Sequence, residues 1–184
     1  MILPFSTQIK GEPTFFPEKI LSGLLKDLEA NGIEYLHEVR SFIYDFGERQ
    51  GYNSADIVLH CIDQAKPKRH TIRQDKNDRW KPGTIVDFFI NSRQPNMFRF
   101  APRIPVISTQ KINIEWFTEY MVYVTIDNKP IGDAIWDRGF IGMSCEPILR
   151  ELAKNDGFES VEDFFAYFNK DFKGKIIHWT DLQY

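Results

Sequence analysis

Ile112-Asn-Ile-Glu-Trp116 and Tyr120-Met-Val-Tyr-Val-Thr-Ile126 decide the fold class, because their apolar residues recur at every second position and are β-branched or aromatic. That period belongs to half-buried strands. Working outward, Thr84-Ile-Val-Asp-Phe-Phe-Ile90 and Ile104-Pro-Val-Ile-Ser108 read the same way, with Pro82-Gly83 and Asp127-Asn-Lys-Pro130 as turns. Pro102 and Pro105 point to an edge strand or a bulge, since proline has no amide to give a ladder. Gly174-Lys-Ile-Ile-His-Trp-Thr180 is expected to be the last strand.

The flanks are helical. After Phe16-Pro17, residues Ile20, Leu21, Leu24, Leu25 and Leu28 recur at helical spacing, with Asn31-Gly32 as the stop. Tyr35, Leu36, Val39, Phe42, Ile43 and Phe46 predict a second helix ending near Gly47. A third runs from Pro147 to Asn155, closed by Asp156-Gly157. Ser160-Val-Glu-Asp163, a capping box with Asp for the usual Glu, then opens a short aromatic helix. Helices at both ends of a run of strands predict an α+β domain, a small closed sheet with helices packed on it. With no repeat or linker in 184 residues, one domain is expected.

Composition limits the function classes. No apolar run is long enough to cross a membrane, and the start Met1-Ile-Leu-Pro-Phe-Ser has neither the charge nor the apolar core of a secretion signal. Cys61 and Cys145 are too few for a disulfide scaffold, and Cys145 reads as a buried structural thiol. A cytoplasmic protein with reduced thiols is the expectation. His37, His60, His70 and His178 show no metal-ligand spacing, so no metal is expected, and phosphate-loop, nucleophile-elbow and dinucleotide motifs are missing from the sequence.

The net charge of −3 conceals an asymmetry. Residues 66–111 hold eleven Lys/Arg against three Asp, so the rest of the chain carries −11. A basic middle suits a phosphate-bearing partner, or is simply a solvated loop. Within it lies Lys68-Arg-His-Thr71-Ile-Arg73. If extended, this segment puts Arg69, Thr71 and Arg73 on one face and Lys68, His70 and Ile72 on the other. Pro67 allows a turn that would bring Lys68 to Thr71, a lysine–hydroxyl pair of the nucleophile–base kind. Trp80, Phe98, Phe100 and Trp116 are candidate stacking residues near Arg79, Arg93, Arg99 and Arg103, with Trp116 and Phe88 read as core. His178 either lines the cleft or is a satisfied core histidine.

Together, Ile2-Leu-Pro-Phe-Ser, Lys68 to Arg73 with Lys81-Pro-Gly83 after it, and Asp156-Gly-Phe-Glu-Ser-Val-Glu-Asp-Phe164 through Ile177-His-Trp-Thr180 resemble an ASCH domain of the PUA-like superfamily. The resemblance covers residues 1–23 and 66–184. It implies a small PUA-like β-barrel with flanking helices and a cleft, a helical insertion at about 33–65, and one of two activities. The first is binding of RNA, a nucleotide or a modified nucleoside, for which the basic stretch, its aromatics and the last strand, not the resemblance, offer Arg69, Arg79, Trp80, Phe98, Arg99 and His178 as contacts beside Arg73; no metal or organic cofactor is expected. The second is hydrolysis of an N4-acylated cytidine. Lys68 would then be proton acceptor, Thr71 nucleophile and Asp156 proton donor in place of a family glutamate one methylene longer. Under either activity Arg73 holds substrate or oxyanion. A protein-interaction module built on the insertion is a third reading.

Overall fold

The computed structural model describes residues 1–31, 36–136 and 143–184. In chain order the elements are β1 (Ile2–Pro4), β2 (Gln8–Ile9), β3 (Glu12–Pro13), α1 (Phe16–Asn31), α2 (Leu36–Arg49), α3 (Ala55–Gln64), β4 (His70–Arg73), β5 (Ile85–Ile90), β6 (Phe98–Arg99), β7 (Ile104–Pro105), β8 (Ser108–Thr118), β9 (Met121–Ile126), β10 (Lys129–Trp136), β11 (Met143–Cys145), α4 (Pro147–Asn155), α5 (Val161–Tyr167) and β12 (Phe172–His178). The class is α+β. The chain forms two compact units, one of Met1–Arg69 with Gly83–Pro105, the other of His70–Pro82 with Val106–Tyr184.

In the first unit β5 is the central strand, parallel to β1 and antiparallel to the short β6 and β7. Pro105 ends β7 after two residues, as an edge strand should. Ile104–Ser108 is therefore not one strand, because Ser108 opens β8 in the other unit. Phe5, Phe88 and Phe100 meet pairwise at 5.9 to 6.1 Å between ring centres. Ile20, Leu21, Leu24 and Leu25 of α1 are buried as their spacing predicts. Gly32 and Tyr35 of the expected helical patterns lie outside the described residues, as does the side chain of Leu28.

Helix α2 runs on to Arg49, past the expected stop. Gly47 serves contact instead of termination: a Cβ there would lie 2.3 Å from Val58 Cγ2 of α3. The chain turns at Gly51, with φ near +80°. Helix α3 was not predicted, because only Val58 and Ile62 of its ten residues are buried.

The second unit is a six-stranded antiparallel sheet in the order β11-β10-β9-β8-β12-β4, curled as a half-barrel. Alternation along β8 and β9 buries Ile112, Ile114, Val122, Val124 and Ile126 on one face. Asp127 and Asn128, with φ of 51° and 63°, make the two-residue turn into β10 that favours a twisted hairpin. Strand β10 was not read from sequence, its Pro130 and Gly132 sitting at a register shift. The final strand runs Phe172–His178, two residues earlier than its apolar run suggests.

Ser160 caps α5 by accepting the Asp163 N–H at 3.1 Å, while its hydroxyl donates to the Asp163 carboxylate at 2.7 Å. Beyond α5, Gly174 lets β12 lie close to β4, since a Cβ there would meet Arg73 O at 2.5 Å and the Phe172 ring at 2.6 Å. Gly174→Ala is expected to lower unfolding stability by about 1–3 kcal/mol through overpacking, measured as a shift in urea midpoint.

Candidate nucleotide site

Among the described residues, strand β4 has a ladder on one side only, pairing Thr71 with Ile177 and Ile72 with Ile176 of β12. Toward its other side the Ile72 N–H donates to Asp156 Oδ1 at 3.1 Å. Asp156 is delivered there by the end of α4. Gly157, at φ +89°, donates to Lys154 O at 2.9 Å and Phe158 N–H donates to Ala153 O at 3.0 Å, the paired bonds of a Schellman stop. The expected Asp-Gly turn thus carries a buried carboxylate, 4% exposed.

Around that carboxylate the second unit assembles a polar cluster. His70 Nδ1 is 3.7 Å from Asp156 Oδ1, and His70 Nε2 is 2.9 Å from the Tyr184 hydroxyl. Asn155 donates to the same hydroxyl at 3.0 Å. His178 is wholly buried, its ring 5.3 Å from that of His70, and neither of its nitrogens has a hydrogen-bond partner among the described residues. Burial, and then the neighbouring His70, push its pKa down to about 3, against a smaller opposing pull from Asp127.

The candidate residues are distributed as follows. Lys68 is buried in the first unit, its ammonium 4.7 Å from the Phe16 ring centre and 6.0 Å from that of Phe5. Arg69 pairs with Asp27 at 3.5 Å in that unit. Also there, Arg49 lies over the Phe98 ring at 4.2 Å and Arg99 over Phe42 at 5.2 Å, while Arg99 and Arg103 both face Asp87. Thr71 is buried in β4, as are His70 and Ile72, so both faces of the strand are covered. Trp80 is buried and Arg79 exposed. Their loop is held by Asp75, which accepts both backbone N–H groups and faces Lys175 at 3.2 Å. Cys145 is half-buried rather than buried. Among the described residues no group of three or more His, Cys, Asp or Glu could hold a metal, and no helix is long and apolar enough to cross a membrane.

Arg73, the last residue of β4, is half-buried on the wall of a pocket of about 360 Å³. Burial draws its guanidinium below the ordinary arginine value, and the Asp156 carboxylate and Tyr167 oppose the shift. Tyr167, 48% exposed at the end of α5, lines the same pocket with Gln74, Asn169 and Lys170. Its ring leans on Phe158 and Phe168 at 5.6 and 4.9 Å. Sequence reading missed Tyr167, Asn169 and Lys170. The available signal was one hydroxylated ring on the outward side of a helix whose Phe164, Phe165 and Phe168 all point in.

Comparison of the chain with protein-family models, with curated proteins and with solved structures finds no match in any of the three.

Two outcomes test this cluster. Asp156→Ala strands a buried N–H, and should cost about 1–3 kcal/mol in urea unfolding, with Asp156→Asn, which keeps an oxygen acceptor, costing less. His178, neutral when folded, lets the unfolded chain bind the extra proton below about pH 6.5. Stability should therefore be full at neutral pH and fall by up to about 1.4 kcal/mol per pH unit between about 6.5 and 3. Urea midpoints taken from about pH 7 down to about pH 5 should show the decline, and His178→Phe should flatten it.

Proposed function

We propose that this chain is a PUA-like, ASCH-type nucleotide-binding protein that holds RNA, a nucleotide or a modified nucleoside in the pocket of Arg73 and Tyr167. One observation carries the reading: a guanidinium partly withdrawn from water shares a single pocket with an exposed tyrosine ring. A desolvated cation gains more from an anionic ligand than a hydrated surface lysine does. Arginine also matches a phosphate with two parallel donors. The ring offers a face for a base, and the Asn169 amide beside it can both donate to and accept from a base edge. A volume of about 360 Å³ is within the usual range for small-ligand sites.

The engagement of Asp156 argues for binding over hydrolysis. Its Oδ1 accepts the Ile72 N–H at 3.1 Å, which gives this carboxylate a structural role at the edge of β4 that needs no hydrolysis.

Calorimetric titration with the four nucleoside 5′-monophosphates is expected to show binding that weakens as salt is raised. Tyr167→Ala should lower affinity by about 5- to 100-fold, the worth of a base–aromatic stack, and Arg73→Gln should remove most of the salt dependence. Absence of binding to all four at millimolar ligand would overturn the reading. Release of acetate from N4-acetylcytidine that disappears in Thr71→Ala would replace it with hydrolysis.

A further inference from the structure

The second unit has a larger pocket, of about 610 Å³, walled by Trp116, Trp136 and Phe165. It shares Asn169, Lys170 and Asp171 with the Arg73 pocket, so one loop separates two cavities. Trp116 was expected in the core, yet it and Trp136 are only half-buried. Several features keep these walls in place. The Trp116 indole N–H donates to Phe168 O at 2.8 Å and its backbone N–H donates to Asp171 Oδ1 at 2.8 Å, fastening the shared loop to β8. Its ring stands edge-on to Phe165 at 6.0 Å. The register of β8 against β9 shifts between Trp116 and Thr118, a bulge of the kind that re-aims side chains beside functional sites. Trp136 stands at the end of β10, where its backbone N–H donates to Tyr120 O at 2.8 Å.

We infer that the ligand is a single-stranded oligonucleotide of at least two residues, with a second base in the Trp116–Trp136 pocket and the linking phosphate at Lys170. The inference rests on the nucleotide-binding reading of the first pocket. Charge fixes the orientation. Asp171 and Lys170 border both pockets, but Arg73 lines only the first and Glu119 only the second, where it repels a phosphate while two indoles offer stacking faces that any base can use. Lys170 is exposed and borders both cavities, which is where the phosphate joining two adjacent nucleosides must pass. Linking two bases through that phosphate makes the second stacking event intramolecular, so affinity rises well beyond that of either base alone.

Uridylates of one to four residues, chosen because uracils stack weakly on one another, separate the outcomes, with adenylates run in parallel. Calorimetry should give a gain of about tenfold or more from one residue to two, and little from two to four. Trp136→Ala should abolish that gain while leaving monophosphate affinity unchanged. Lys170→Ala, an exposed substitution that guards against a folding artefact, should reduce the salt dependence of dinucleotide binding. Equal affinity for mono- and dinucleotides overturns the inference and leaves the first pocket standing. So does a gain that survives both substitutions. If no monophosphate and no oligonucleotide binds, the nucleotide reading itself fails and takes this inference with it.

Discussion

The bond from Ile72 N–H to the Asp156 carboxylate is the constraint on which the second unit turns. A strand at the end of a sheet has one row of amides without a ladder, and burying that row unpaired is costly. Here a single carboxylate supplies the acceptor that another strand would have given, and it is held by a helix stop whose geometry allows only a residue like Gly157 to follow. The same carboxylate stands near His70 and opposes the desolvation of Arg73. One residue thus sits at the backbone stop of α4, and its side chain supplies an acceptor at the edge of β4 and opposes the desolvation of Arg73.

That arrangement decides what chemistry is open to the site. Part of the basic middle of the sequence is neutralised in the fold: Arg99 and Arg103 face Asp87, Arg69 faces Asp27 and Lys81 faces Asp78. Exposed pairs of this kind contribute little to stability, but they do remove those cations from a general anion-attracting surface. Arg73, which the Asp156 carboxylate also faces electrostatically, lies in addition on a pocket wall beside an accessible ring. In the proposed reading it is this local position, more than the summed charge of residues 66–111, that singles Arg73 out for an anionic ligand.

The legibility of the fold follows the strength of its periodicity. Helices α1 and α4 and strands β5, β8 and β9 carry unbroken apolar patterns and were readable to within a few residues. Helix α3 buries two residues in ten, and β10 runs through Pro130, Gly132 and Asp133, which carry no strand signal. Gly47 shows how composition misleads: glycine marks both a helix end and a helix contact, and only the position of Val58 tells them apart. At the site, β4 was legible because a Lys-Arg-His-Thr-Ile-Arg run is conspicuous. Tyr167, Asn169 and Lys170 were not, because their meaning comes from the return of β12 alongside β4, a contact between residues about a hundred positions apart.

Rigidity connects the two cavities to the core that supports them. Phe158, Phe164, Phe168 and Phe172 form a run of ring contacts, with Phe168 touching each of the other three at 4.8 to 6.4 Å. Phe168 also gives its carbonyl to Trp116, so the loop after α5 is clamped by packing on one side and hydrogen bonds on the other. A loop ordered before ligand arrives spares the entropy that a mobile one would lose on binding. The aromatic density that the composition shows, 15% of the chain, is therefore spent partly in cores and partly in holding one short loop still between two pockets. Lys170 stands exposed in that loop at the border of both pockets, the position the proposed reading gives to the linking phosphate.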